Sequence, residues 1–450
     1  MRYKHILSLF TLIIMIPFLR LSSTVAQKIW TLDECISYAQ NHNISIKRQD
    51  LQIESSRSSL LTSRAQRLPR VNAWASHNLS SGKTVNIENY TYINTRYQDG
   101  SIGIQGDIAL FEGLGIINII KQENYNFQAA VQESEKLKNS ITVQVTSAFL
   151  MVLFTEELLT VTTRQCELSK LQIESTAIFV EQGKLARFNL LDVQAQSAQD
   201  ELLKTESQSA LDNASLQLIH LMNLPDKARI KIHHPQQKVI SITTLPDPGQ
   251  LFIIAPNELP RVKGAKLKVK ASESGLAVAR SKLSPKLSLN GLIYSRYSDL
   301  GVDPLNPAVD YLISRQLHDN SYKRISLNLN FPVFNQLQTR NAISQAKIAS
   351  MDAKLALDME KNTLRQEIQQ SYSDARNALT KYNAAQKALK AIQLSFDFAK
   401  ERFSAGLSTS LDYKVVKTQL IKTEADLLQA KYEYILRSKI LDFYRGIPII

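Results

Sequence analysis

The sequence predicts a mainly α-helical protein with a small β part, built as two copies of one plan in which a pair of strands precedes a hairpin of long helices. Three observations carry this expectation. Proline is missing between Pro69 and Pro225 and between Pro332 and Pro448, and glycine is missing from 116–182 and 335–405. Stretches of about 70 such residues would reach on the order of 100 Å as helix, a coiled-coil length rather than a globular one. Secondly, one register recurs along the chain. Phe111, Gly183, Gln196 and Glu201 return 223 residues later as Phe334, Gly406, Gln419 and Glu424, and the Pro225 and Pro448 motifs keep that offset. Thirdly, short runs switch to a period of two, as in 324–331, where polar and apolar residues alternate without a miss.

The elements follow in order. Residues 1–26 read as a secretory signal: Arg2, Lys4 and His5 precede an apolar run, and Thr24 and Ala26 place small residues before a cut at Gln27. The run is shorter than the roughly 18 residues of a retained membrane anchor, and no Cys follows the cut to carry lipid. No other stretch reads as a membrane helix. The first repeat spans 27–225, with strands at about 70–80 and 101–111, a long helix, and a turn at Gly183. An irregular, Pro-rich connector covers 226–260. The second repeat spans 261–450, with strands at about 285–297 and 324–334 and a turn at Gly406. Each strand is about ten residues, the length of a tilted membrane-spanning strand. Four strands cannot close a barrel alone, since spanning barrels start near eight, so closure must come from several copies.

Composition narrows the function. Formal charge is +13, but Lys and Arg are interspersed with Glu and Asp along the helical stretches. That pattern reads as solvated helix faces and not as a nucleic-acid footprint. Cys35 and Cys166 lie in helical patterns and read as buried small residues, with a single disulfide left open. His233-His234 lacks the ligand spacing of a metal site and reads as a solvated loop. No nucleophile elbow, phosphate loop or paired-carboxylate motif points to an enzyme, and nothing implies a cofactor.

The residues now assembled resemble the TolC-type outer-membrane efflux proteins. The resemblance rests on the signal, the opening run from Trp30 through Ile36, Leu68-Pro69, Phe111-Glu112-Gly113 with its counterpart Pro332-Val333-Phe334-Asn335, and the turns at Gly183 and Gly406. It implies a homotrimer. Each subunit would give four strands to a twelve-stranded barrel in the outer membrane, continued by an α-helical barrel in the periplasm. A periplasmic adaptor and an inner-membrane pump would dock at the helical tip, for efflux or type I secretion, and the duct would do no chemistry. The rival reading is a trimeric coiled-coil adhesin or stalk, which would need barrel strands only at one terminus.

Gly183 and Gly406 fit left-handed helix C-caps at that tip. Thr409 to Asp412 has the pattern of a capping box. In the family, residues after the tip glycines line the narrow end and are often acidic. That makes Asp192 and Asp412 candidates for an acidic gate. The family's acidic–basic latch would fall on Asn189 and Ser408, which are uncharged here, leaving Arg187 as a substitute basic partner.

Overall fold

The computed structural model describes residues 29–85, 90–225, 230–234, 259–306, 308–405, 407–447 and 449. The expected signal segment and most of the expected connector lie outside these residues. The chain opens with β1 (Ile29–Trp30), α1 (Leu32–His42) and α2 (Ile44–Ala65), followed by β2 (Arg70–Val85) and β3 (Tyr92–Glu112). A helical hairpin of α3 (Gly115–Glu181) and α4 (Arg187–Met222) comes next, then β4 (Lys231–Ile232). The second half holds α5 (Pro260–Ser281), β5 (Lys286–Ser298), the short α6 (Ile313–Asp319) and β6 (Tyr322–Asn330). It ends with the hairpin of α7 (Gln338–Ser404) and α8 (Ser410–Tyr444).

The two long helices, α3 and α7, each have 67 residues and begin and end 223 residues apart. Their uninterrupted length follows from the absence of Pro and Gly, since neither a missing N–H nor a flexible backbone breaks the ladder. At the entry to each, two consecutive residues take left-handed backbone: Gly113 and Leu114 at φ 60° and 64°, Gln336 and Leu337 at φ 54° and 63°. This tight turn swings the chain from strand to helix, so the helices continue away from the sheet.

The sheet is antiparallel in the order β2-β3-β5-β6. The strands have 16, 21, 13 and 9 residues, which corrects the expectation of about ten each. The β2–β3 pair runs on through Ser80–Tyr97 and Thr84–Ile93 to Val85–Tyr92, where Ser, Thr and Tyr pair without a clean alternation. Pairing, not amphipathic pattern, sets that length. β6 stops at Asn330 instead of 334, just before Phe331 and Pro332, whose ring nitrogen has no hydrogen to donate.

Register sorts the residues onto two faces. Ile104 opposes Ile293, Ile108 opposes Leu289, and Leu289 opposes Leu327, so these apolar side chains share one face with Ile325 and Leu329. The other face carries Asn72, Gln105, Asn290, Ser326 and Asn328, and Asn328 Nδ2 donates to Asn290 Oδ1 at 2.6 Å.

One sequence expectation needs correction among the helices. The middle of α3 is apolar enough, by length and composition, to pass for a membrane span. Its apolarity has another cause: Val145, Phe149, Val152 and Leu153 are buried in the main core with Cys35 and Ala39 of α1, Leu218 and Met222 of α4, and Tyr432 of α8. A parallel pair, β1 with β4, was also not foreseen; it clips Trp30 to Ile232 beside that core. A second core joins Leu259, Val262, Leu364, Ile368 and Leu441. Cys35 and Cys166 are both buried thiols and form no disulfide. His234 is exposed, as a solvated loop residue would be, and places Nε2 2.8 Å from the Glu156 carboxylate of α3.

Candidate gate at the helical tip

The α3–α4 turn is built by one glycine. Gly183 has φ +69°, Lys184 N–H donates to Phe179 C=O at 2.9 Å, and Gly183 N–H donates to Val180 C=O at 3.0 Å. These two bonds are the Schellman arrangement that ends a helix on a left-handed residue. A side chain at 183 would meet nothing within 4 Å, so the requirement is one of conformation and not of space. Gly406 lies outside the described residues. The bond spanning it, Leu407 N–H to Arg402 C=O at 2.8 Å, occupies the same place in the second half.

The helices that leave the two turns start differently. Thr409 and Asp412 form a full capping box on α8: Thr409 Oγ1 accepts from Asp412 N–H at 3.2 Å, and Asp412 Oδ2 accepts from Thr409 N–H at 3.2 Å and Oγ1–H at 2.7 Å. Those hydrogen bonds hold the Asp412 carboxyl below the usual aspartate value. The corresponding position before α4 is Ala186, which gives no side-chain cap.

The other residues singled out from sequence lie nearby but are not gathered into one cluster. Arg187 is exposed at the first position of α4, and Asn189, two residues further on, is half-buried. Ser408 is half-buried, its hydroxyl sealed from solvent with no hydrogen-bond partner. Asp192 lines a crevice between α3, α4 and α8 with Gln172, Tyr413 and Lys414. Asp412 is not part of that lining and remains in its cap.

Below the crevice is a polar cluster that sequence reading missed. Asp200 of α4 and Lys417 of α8 are both 4% exposed, and Lys417 Nζ lies 3.4 Å from Asp200 Oδ2. Lys417 also donates to Ser169 Oγ of α3 at 2.9 Å, and Ser169 donates in turn to Asp200. Gln165 and Gln196 complete the carboxylate's shell at 3.3 and 3.0 Å. Burial pushes the Lys417 ammonium below the ordinary lysine value, and the Asp200 charge opposes that shift. Burial, with the Asp200 charge adding to it, raises the Tyr413 phenol above its ordinary value. The cluster joins both halves of the chain: α3 and α4 come from the first, α8 from the second. A signal was present in the sequence. Val193, Ser197, Asp200, Ser207 and Ala214 recur at helical spacing as the buried stripe of α4, and Asp200 is its one charged member.

A sheet with one apolar face and, among the described residues, two open edges, continued by helical hairpins on the order of 100 Å long, is the architecture of a membrane-anchored protein. The sequence profile of the outer membrane efflux protein family matches residues 35–224 and 255–446, and the chain belongs to that family. It is accordingly an outer-membrane channel protein with a periplasmic helical part. It is 20% identical over 369 residues to the outer membrane efflux protein BepC of Brucella suis, covering 81% of this chain and 74% of that one. The fold is similar to the outer membrane protein VceC of Vibrio cholerae, with a TM-score of 0.77 at 15% identity over 93% of this chain and 97% of that one. It is also similar to the CmeC outer membrane channel of Campylobacter jejuni, with a TM-score of 0.77 at 16% identity over 92% and 85%.

Proposed function

We propose that this chain is one third of a passive duct. Three copies close a twelve-stranded barrel in the outer membrane, and their helical hairpins continue it as a periplasmic tunnel. A periplasmic adaptor and an inner-membrane pump dock at the tip and supply the energy, in an efflux or type I secretion system. The duct performs no chemistry and binds no nucleic acid. One observation carries the reading: the four-stranded sheet has an apolar face and, among the described residues, leaves both edge strands, β2 and β6, unpaired on their outer sides. Open edges are not tolerated in lipid, so further copies must pair with them. The helices support the same conclusion. Ile348, Met351, Leu355 and Met359 form an exposed apolar stripe along α7, as a helix facing a neighbouring subunit would. Apolar residues of the sheet then face lipid, and the Asn- and Gln-rich face lines the lumen.

The narrow end of this duct is the helical tip. Each subunit presents Asp192 and Asp412 there, on different turns, and three subunits surround the passage with both carboxylates. Such rings favour cations. Recording single channels of the purified protein in planar bilayers tests both levels. Conductance with cation preference is expected, and Asp192→Asn combined with Asp412→Asn should lower that preference. An absence of conductance contradicts the duct; unchanged selectivity and divalent block in the double variant contradict the acidic gate.

A further inference from the structure

The connection between β5 and β6 is a built structure. Gln316 of α6, 3% exposed, accepts from Ser298 N–H at 2.8 Å and donates to Ser298 C=O at 2.9 Å and Tyr311 C=O at 2.7 Å. Arg315 pairs with Asp303 at 2.5 Å, and Asn320 Nδ2 donates to Arg296 C=O at 2.9 Å. Together these bonds fix the connection over the end of the sheet. Between it and the polar sheet face is a cavity of about 870 Å³. That is the size of a small-molecule site.

Its sheet wall has an ordered chemistry. One cross-strand row runs Trp74, Gly103, Tyr294, Tyr322. Gly103 leaves the space that seats the indole: a Cβ there would fall 2.5 Å from Trp74 Cζ2. The Tyr294 and Tyr322 rings stand 5.3 Å apart. Arg296 lies two residues beyond Tyr294 on its strand, and Arg324 lies two residues beyond Tyr322 in the opposite direction. One guanidinium therefore stands on each side of the aromatic row, about 7 Å along the strands. Among the described residues neither is in an ion pair with a carboxylate. Asp99, the acid of this lining, accepts from Asn78 Nδ2 at 3.0 Å.

We propose that this cavity is a subsite for flat aromatic anions, such as aromatic carboxylates or sulfonates, at the mouth of the duct. The ring stacks against Trp74 and the tyrosines, and the anionic group takes charge-assisted hydrogen bonds from Arg296 or Arg324. The proposal rests on the reading that the polar sheet face lines the lumen. Isothermal titration of the detergent-solubilised protein with naphthoate, corrected for empty micelles, tests it. Saturable binding is expected, weakened about tenfold or more by Trp74→Leu or by Arg296→Gln with Arg324→Gln. Naphthylmethanol, which keeps the ring and loses the charge, should bind about tenfold more weakly. Replacing both arginines by lysine should preserve part of the affinity and guards against misfolding as the cause of a loss. An absence of saturable naphthoate binding overturns the subsite, and so does equal affinity in the arginine-to-glutamine protein. Conductance in planar bilayers without naphthoate reads the duct separately. A conducting protein that does not bind loses only the subsite, and a binding protein that does not conduct loses the duct.

Discussion

At the scale of single residues, the two strand-to-helix turns show what duplication can and cannot conserve. Gly113 satisfies two demands at once. Its φ is +60°, and a Cβ there would lie 2.5 Å from Ser284 Cβ and 2.7 Å from the Ser281 carbonyl. Gln336 holds the same turn position in the second half with a side chain, at φ +54°. A non-glycine residue in left-handed backbone costs roughly 1–2 kcal/mol. Gln336→Gly should therefore raise thermal stability slightly, by about 1 kcal/mol at most. Gly113→Ala should lower it by roughly 1–3 kcal/mol, because crowding adds to strain. Thermal melts of the two variants check this, and equal effects of the same sign would contradict the geometry. The turn glycine at 183 was visible in the sequence, while Gly113 was seen only as the end of a strand motif. The left-handed leucines 114 and 337 were not visible, because no local chemistry marks a leucine for that conformation and only the strand-to-helix packing imposes it.

At the scale of elements, the long hairpins were legible because two 67-residue helices need an unbroken absence of Pro and Gly, and such an absence is easily seen. Strand lengths were less legible, since pairing extends β2 and β3 beyond their alternating stretches. The contact between hairpins was least legible: Asp200 and Lys417 are 217 residues apart and look like any two charges on solvated helices. Buried together, they tie α4 to α8 through Ser169 of α3. Removing one partner of a buried pair costs about 3–5 kcal/mol, because the other charge stays buried and alone. Lys417→Met should therefore lower the melting temperature strongly. Adding Asp200→Asn, which leaves an amide able to keep its Ser and Gln neighbours, should recover most of the loss. A double variant as unstable as Lys417→Met would show that the pair does not hold the hairpins together.

At the scale of the whole molecule, the account depends on which sheet face meets lipid and on closure by copies. Leu327 and Asn328 are adjacent in β6 and point to opposite faces. An arginine on the lipid face at mid-bilayer costs roughly 2–4 kcal/mol, whereas one in the lumen costs little. Leu327→Arg should reduce assembled oligomer in membranes, and Asn328→Arg should not; equal yields would contradict the assigned faces. The need for closure was readable from four strands in an exported-looking chain, while the number of copies entered through family resemblance. Electron microscopy of the purified protein in detergent tests the central claim most directly. The duct reading predicts a three-fold particle with one continuous lumen through barrel and helices. A solid stalk, or a ring with another number of subunits, would contradict it.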